Sequence, residues 1–217
     1  MPPCTTRSRP RDASQFRWKR AAYNRTQGSF VRLQLPLVAA CLAVFPVSAQ
    51  ISQTLDLHTQ HSKKSFYVVL ASRGGSATGH AFVVWGIEDG VRHRTTVRAL
   101  GLYPDGSSAN CSSLVRTVPG GVLDELQTHS FQAITQELIV RVDQAAYQRS
   151  WQVARQWDCR HEFALFSRDC VEFLRAVGQS IDLDMPRRGI TSQTPQAYVR
   201  GLVAQYAELQ LAADKRR

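Results

Sequence analysis

The chain has 217 residues, 43% of them hydrophobic, which is enough for one domain with a substantial core and no need of a metal or a dense disulfide framework. Its formal net charge of +10 points first to nucleic acid or an acidic surface, but residues 1–49 hold eight Lys/Arg against one Asp. The remainder carries 19 of the 27 basic and 16 of the 17 acidic residues, a net +3, so a nucleic-acid partner is not expected.

Residues 1–49 have the layout of a signal peptide with a long N-region: basic Arg25 and Arg32, the apolar run Leu35–Phe45, then Val47-Ser-Ala49 ahead of Gln50. Cleavage is expected after Ala49. Pro36 and Pro46 and the shortness of the run argue against a bilayer span, so no membrane helix is expected after processing. The long stretch upstream of Arg25 suggests a true start nearer Val31. Val38-Ala-Ala-Cys41 offers an alternative lipoprotein processing site, against which apolar residues continue past Cys41. Export removes Cys4 and Cys41 and leaves Cys111, Cys159 and Cys170 in a periplasmic or extracellular compartment that favours disulfides. Cys111 and Cys159 are the expected pair because Cys170 stands where a reactive thiolate is useful; three unpaired, buried cysteines are the alternative.

Residues 50–64 are polar without apolar period and read as a linker, and the folded body is expected from 65 to 210, followed by a basic tail at 211–217. Phe66–Ala71 and His80–Trp85 are rich in β-formers and read as buried strands. Glu88-Asp-Gly90 has hairpin-turn chemistry, so Val91–Arg98 should return antiparallel to the His80 strand. Gly101–Gly106 reads as a surface loop, Ser113–Val118 and Gln136–Val142 as strands, and Gly120-Gly121 as a separator between them. Helices are expected over Ala145–Trp157, from an Asp169 N-cap through the stripe Val171, Leu174, Val177 and Ile181, and from Thr194-Pro195 through Leu209.

Cys170 thus lies in the first turn of a helix, where free amides and the macrodipole favour the thiolate that a nucleophile needs. A strand histidine, His80, can take the proton and hold an ion pair, and Gly79 before it removes bulk where a substrate could approach. The strand after the Glu88-Asp-Gly90 turn offers His93, and more weakly Thr95, to orient that base, and amides at the helix start could hold an oxyanion. His161, nine residues before Cys170, is a competing base.

The run Gly79-His-Ala-Phe-Val-Val-Trp-Gly-Ile-Glu-Asp-Gly-Val-Arg-His93 resembles the first strand pair of the circularly permuted NlpC-type papain-like proteins, which include the lecithin:retinol acyltransferase-like enzymes. Phe163–Leu174 resembles their late Asn-Cys motif at a helix start. The resemblance spans residues 65–180 in layout. It implies an α+β fold, a papain-like (permuted) antiparallel sheet packed against helices, with Cys170 as nucleophile, His80 as base and His93 as orienting residue. Asp169 stands where the family has asparagine, placing a negative charge beside the thiol, and the segment between the histidines is about one residue longer.

The expected function is therefore an exported cysteine hydrolase cleaving amide bonds, with peptide or peptidoglycan substrate. Lipid esters or amides are the alternative substrate, and a catalytically silent binding protein is the alternative from another class. No cofactor is expected. A zinc site can be drawn from Cys159, His161 and Cys170, but it lacks the short Cys-x-x-Cys hairpins of structural zinc. His58 and His61 carry no assignment, and Asn110-Cys-Ser112 fits a glycosylation acceptor.

Overall fold

Alternation of β-branched and aromatic residues gives the central strands two buried faces, and the sheet is built outward from them. The computed structural model describes residues 50–57, 64–74, 79–89, 94–106, 112–114, 116–128, 134–189 and 192–214. Residues 1–49, with the expected leader, its cleavage site and Cys41, lie outside the described residues, as do His58, His61, His93, Asn110 and Cys111.

Strands β1 (Ile51–Asp56), β2 (Lys64–Arg73), β3 (His80–Asp89), β4 (Arg94–Pro104), β5 (Val118–Asp124), β6 (Ile134–Val142) and β7 (Glu162–Phe163) form one sheet in the order β1-β6-β2-β3-β4-β5-β7. Among the described residues four helices accompany it: α1 (Glu125–Thr128), α2 (Gln144–Asp158), α3 (Cys170–Ser180) and α4 (Pro195–Asp214). The protein is α+β, but the sheet is mixed rather than purely antiparallel, because β1 runs parallel to β6 from Ile51↔Gln136 to Asp56↔Arg141.

Four further expectations are corrected. Residues 51–56 of the presumed linker are strand β1, which hydrophobic period could not reveal because only Gln53, Thr54 and Leu55 are partly buried. Backbone pairing holds it, with Gln210 donating to the Thr54 carbonyl at 2.8 Å and Gln53 bonded to Gln210. Strand β4 continues through the expected loop to Pro104, where Leu100–Pro104 pair with Gly120–Asp124. The strand expected at Ser113–Val118 begins only at Val118, and Gly120-Gly121 lie inside β5 instead of separating strands. Gly120 is required there by close approach: a Cβ would stand 2.6 Å from the Phe163 Cβ and 2.7 Å from the Tyr103 carbonyl.

Val68, Leu70, Ala81, Val83, Trp85, Leu138 and Val140 turn toward the helices. Trp85 donates to Ser150 Oγ on α2 at 2.8 Å and meets Trp151 edge-on. Helix α3 buries Val171, Phe173, Leu174 and Val177 in this core, each worth about 1.5–3 kcal/mol, and so fixes the position of the cysteine at its start. The opposite face carries Tyr67, Val69, Ala71, Phe82, Val84, Ala99 and Ile139. A pocket of about 320 Å3 opens on that second face.

Candidate functional site

The site forms where β3 begins. Gly79 has φ +73, a conformation that favours glycine, and a Cβ there would meet the Arg73 carbonyl and Gln196 Cγ at 3.0 Å. It shapes the entry to β3, a backbone reason for a glycine that the sequence suggested was making room for substrate.

His80 Nε2 lies 3.0 Å from Glu125 Oε1, and its ring stacks on Tyr103 at 4.1 Å between centroids. The Tyr103 hydroxyl donates to the same Glu125 oxygen at 2.7 Å and accepts from Arg73 Nη2 at 2.6 Å. Arg73 also donates to Glu125 Oε2. The carboxylate side chain is 2% exposed and the imidazole 14%, so the histidine stands between the buried cluster and the outside. Gly101 makes this contact possible: a Cβ on it would sit 2.4 Å from His80 Nε2 and 2.1 Å from Glu125 Oε1.

Burial holds His80 below its usual pKa, a pull that the hydrogen bond and charge of Glu125 oppose. Burial alone would raise Glu125, but the hydrogen bond and charge of His80, the Tyr103 hydroxyl and the Arg73 guanidinium hold it below its usual range. Tyr103 is pushed up, first by burial and then by Glu125, and stays a phenol that can donate. The cluster is thus an ionised Glu125 on Arg73 with a neutral imidazole bonded to it through Nε2, which leaves Nδ1 to exchange a proton.

Cys170 is a free thiol, 7% exposed, at the first position of α3. Its sulfur is hydrogen-bonded by the backbone of Ala81 and by its own backbone. The β3–β4 ladder starts at Val83↔Leu100, so Ala81 lies beyond the pairing and its backbone meets the thiol. Cys170 thus meets the backbone of Ala81, the residue that follows His80 on β3. No direct hydrogen bond between the thiol and the imidazole occurs among the described residues. Burial, then the charge of Asp169, push the thiol up to about 12, against the backbone hydrogen bonds and Arg188, which lower it. The resting pair is therefore thiol and neutral imidazole, not the ion pair that the sequence suggested.

Asp169 is the N-cap of α3, extended at φ −117 and ψ −170. Its Oδ1 accepts from the amides of Val171 at 3.0 Å and Glu172 at 3.2 Å. Those two amides are spent on the cap and cannot serve the oxyanion, which leaves the amides of Cys170 and Ala81 as the donors at the sulfur.

His93 lies outside the described residues. Its neighbour Arg94 pairs with Glu88, eight residues along β3 from His80 and roughly 26 Å away at about 3.3 Å per residue. The group bonded to His80 Nε2 is Glu125. His161 is exposed with φ 49, and Cys159 is in a disulfide, which takes it out of the zinc arrangement; its expected partner Cys111 is not described. Among the described residues no group of His, Cys, Asp or Glu could hold a metal ion, and no helix is long and apolar enough to cross a membrane. Sequence reasoning missed Glu125, Tyr103, Arg73 and Arg188. Only Tyr103 had a usable signal: extending the hairpin register past Val83↔Leu100 brings it opposite His80.

No family model, curated protein or solved structure matches this chain.

Proposed function

We propose that the chain is an exported cysteine hydrolase of the permuted papain-like kind, cleaving amide bonds in cell-wall peptides through an acyl-cysteine intermediate. The observation that carries the reading is a free thiol at a helix start, bonded by the Ala81 backbone, next along β3 to a histidine whose Nε2 is held by a buried carboxylate. Cys170 is the nucleophile, His80 the base and Glu125 the group that fixes the tautomer, in the place where the sequence suggested His93.

In this reading the sulfur attacks the scissile carbonyl as its proton passes to His80 Nδ1. The amides of Cys170 and Ala81 stabilise the oxyanion, and His80 returns the proton to the leaving amine. Water then attacks the thioester with His80 again as base, releasing the acid and restoring the thiol. Because thiol and imidazole are both neutral at rest, proton transfer accompanies attack. The second apolar face of the sheet, whose pocket is lined by Arg73 and Glu125 of the cluster, keeps lipid esters and amides as the alternative substrate.

A second reading, a catalytically silent binding protein, is favoured by the raised thiol pKa and the lack of a described thiol–imidazole bond. One experiment separates the two. Purified protein is incubated with muropeptides and with phospholipid vesicles, wild type beside Cys170→Ala. Turnover by the wild type that falls by about 10³-fold or more in the variant supports the hydrolase. Equal rates in both proteins on every substrate would reject it.

A further inference from the structure

We infer that Arg188 is a positioning residue for Cys170: by pairing with the N-cap carboxylate of Asp169 it offsets the negative charge next to the nucleophile and makes an aspartate workable at that cap. The inference rests on the hydrolase reading for its purpose, though not for its test.

Arg188 lies in the extended segment between α3 and α4, nineteen residues after Asp169, so no local pattern links the two. Its Nη1 donates to Asp169 Oδ2 at 2.6 Å, with side chains only 9% and 3% exposed. Its Nε and Nη2 both donate to the Gln193 carbonyl, at 3.2 and 2.6 Å, and its guanidinium lies over the Phe166 ring at 5.2 Å. All three nitrogens are thus committed, and the cation is held in place rather than swinging in solvent. Asp169 is equally committed: Oδ1 caps α3 and Oδ2 also accepts from the Phe166 amide at 2.9 Å. Phe166 has φ 68, a strained conformation for an aromatic residue, which this amide bond and the guanidinium hold.

An asparagine could cap the helix as well as aspartate does, without the charge. A bare aspartate would oppose thiolate formation at the adjacent residue; Arg188, which lowers the thiol pKa, offsets part of that charge. The other groups that act on the sulfur are the Ala81 backbone on β3 and Tyr103 on β4, whose hydroxyl is bonded in turn to the Glu125–Arg73 pair. Glu172 on α3 is engaged by Arg175 at 2.6 Å. Tyr103 and His80 are neutral and Glu125 is paired, so the Asp169–Arg188 unit is the balance of charge most open to change at Cys170.

The test reads thiol reactivity and needs no substrate. Full-length protein is alkylated with iodoacetamide at fixed pH, and the Cys170 peptide is followed by mass spectrometry. If losing the guanidinium raises the thiol pKa by about one, Arg188→Gln alkylates about three- to fourfold more slowly, because the tenfold lower thiolate fraction is partly offset by greater nucleophilicity. Asp169→Asn alkylates faster than wild type, and Asp169→Asn/Arg188→Gln returns to near the wild-type rate, a rescue that mere loosening of the loop would not give. Arg188→Lys, which keeps the charge, stays closer to wild type than Arg188→Gln. Should Arg188→Gln not fold, the Asp169→Asn single and the double variant still decide. Equal rates in those two, or an Arg188→Gln rate at or above wild type, would overturn the inference. Neither result bears on whether Cys170→Ala abolishes turnover, so this inference and the hydrolase reading can fail separately.

Discussion

The two ends of strand β3 each meet a buried carboxylate, yet only one end joins it to a titratable ring. At the far end Glu88 is bonded by Arg141 Nε at 2.6 Å and Nη2 at 3.1 Å, with Arg94 at 3.6 Å. At the near end Glu125 is bonded by His80, Tyr103 and Arg73. The charge arithmetic is similar, an acid satisfied by arginine in both cases. The difference is the third partner: an imidazole, which burial holds below its usual pKa and Glu125 draws back up. A buried carboxylate alone marks stability, and what gives it a chemical role is the titratable group it holds.

The sharpest test of this contrast is Glu125→Gln. If Glu125 fixes the base, the substitution should lower kcat/KM by about 10³–10⁴-fold, as losing the carboxylate of a nucleophile–base–acid triad does. It also strands the buried Arg73, at a cost of about 3–5 kcal/mol read by chemical denaturation. The pH dependence carries a separate signature. Glu125 sits below its usual 4.5, so its stabilising contribution is present above that pH and is lost as pH falls through the lower folded value. The variant should lack that part of the acid limb. Because Glu125 raises the pKa of His80, its removal should also move the acid limb of activity further down. Unchanged turnover would make the near end as structural as the far one.

A milder disturbance of the same contact is Gly101→Ala. The added methyl would overlap both His80 Nε2 and Glu125 Oε1 without removing either group, so the pair must separate. A displacement of that size should cost about 10²-fold in kcat, with the melting temperature moving less than in Glu125→Gln. Activity at the wild-type level would mean that the imidazole does not need its carboxylate.

How far the sequence could foretell this site follows from the range of the forces involved. The element starts at His80 and Cys170 were legible because each is punctuated, a strand after glycine and a helix after an aspartate cap, where local chemistry dictates structure. Helices α2, α3 and α4 were legible for the same reason. Glu125 lies 45 residues beyond His80 and reaches it only through the β3–β4–β5 ladder, so no local period announces it. His93 was chosen because the strand after the turn lies beside the His80 strand and because the resemblance puts the orienting residue there; it lies outside the described residues. Strand β1 escaped because a parallel edge strand can be held by backbone pairing with few apolar side chains.

The smallest effect belongs to Glu88→Gln, which serves as the control for the whole comparison. Arg141 keeps 23% of its side chain exposed and so can turn to water when its partner loses charge, whereas Arg73 at 4% cannot. The expected loss is about 1–2 kcal/mol, the usual cost of weakening a partly buried charged hydrogen bond, with kcat/KM unchanged. Denaturation and turnover measured on the same preparation check both halves. A fall in activity out of proportion to this stability loss would show that the two ends of β3 are coupled through the strand. The division between a structural end and a chemical end would then have to be abandoned.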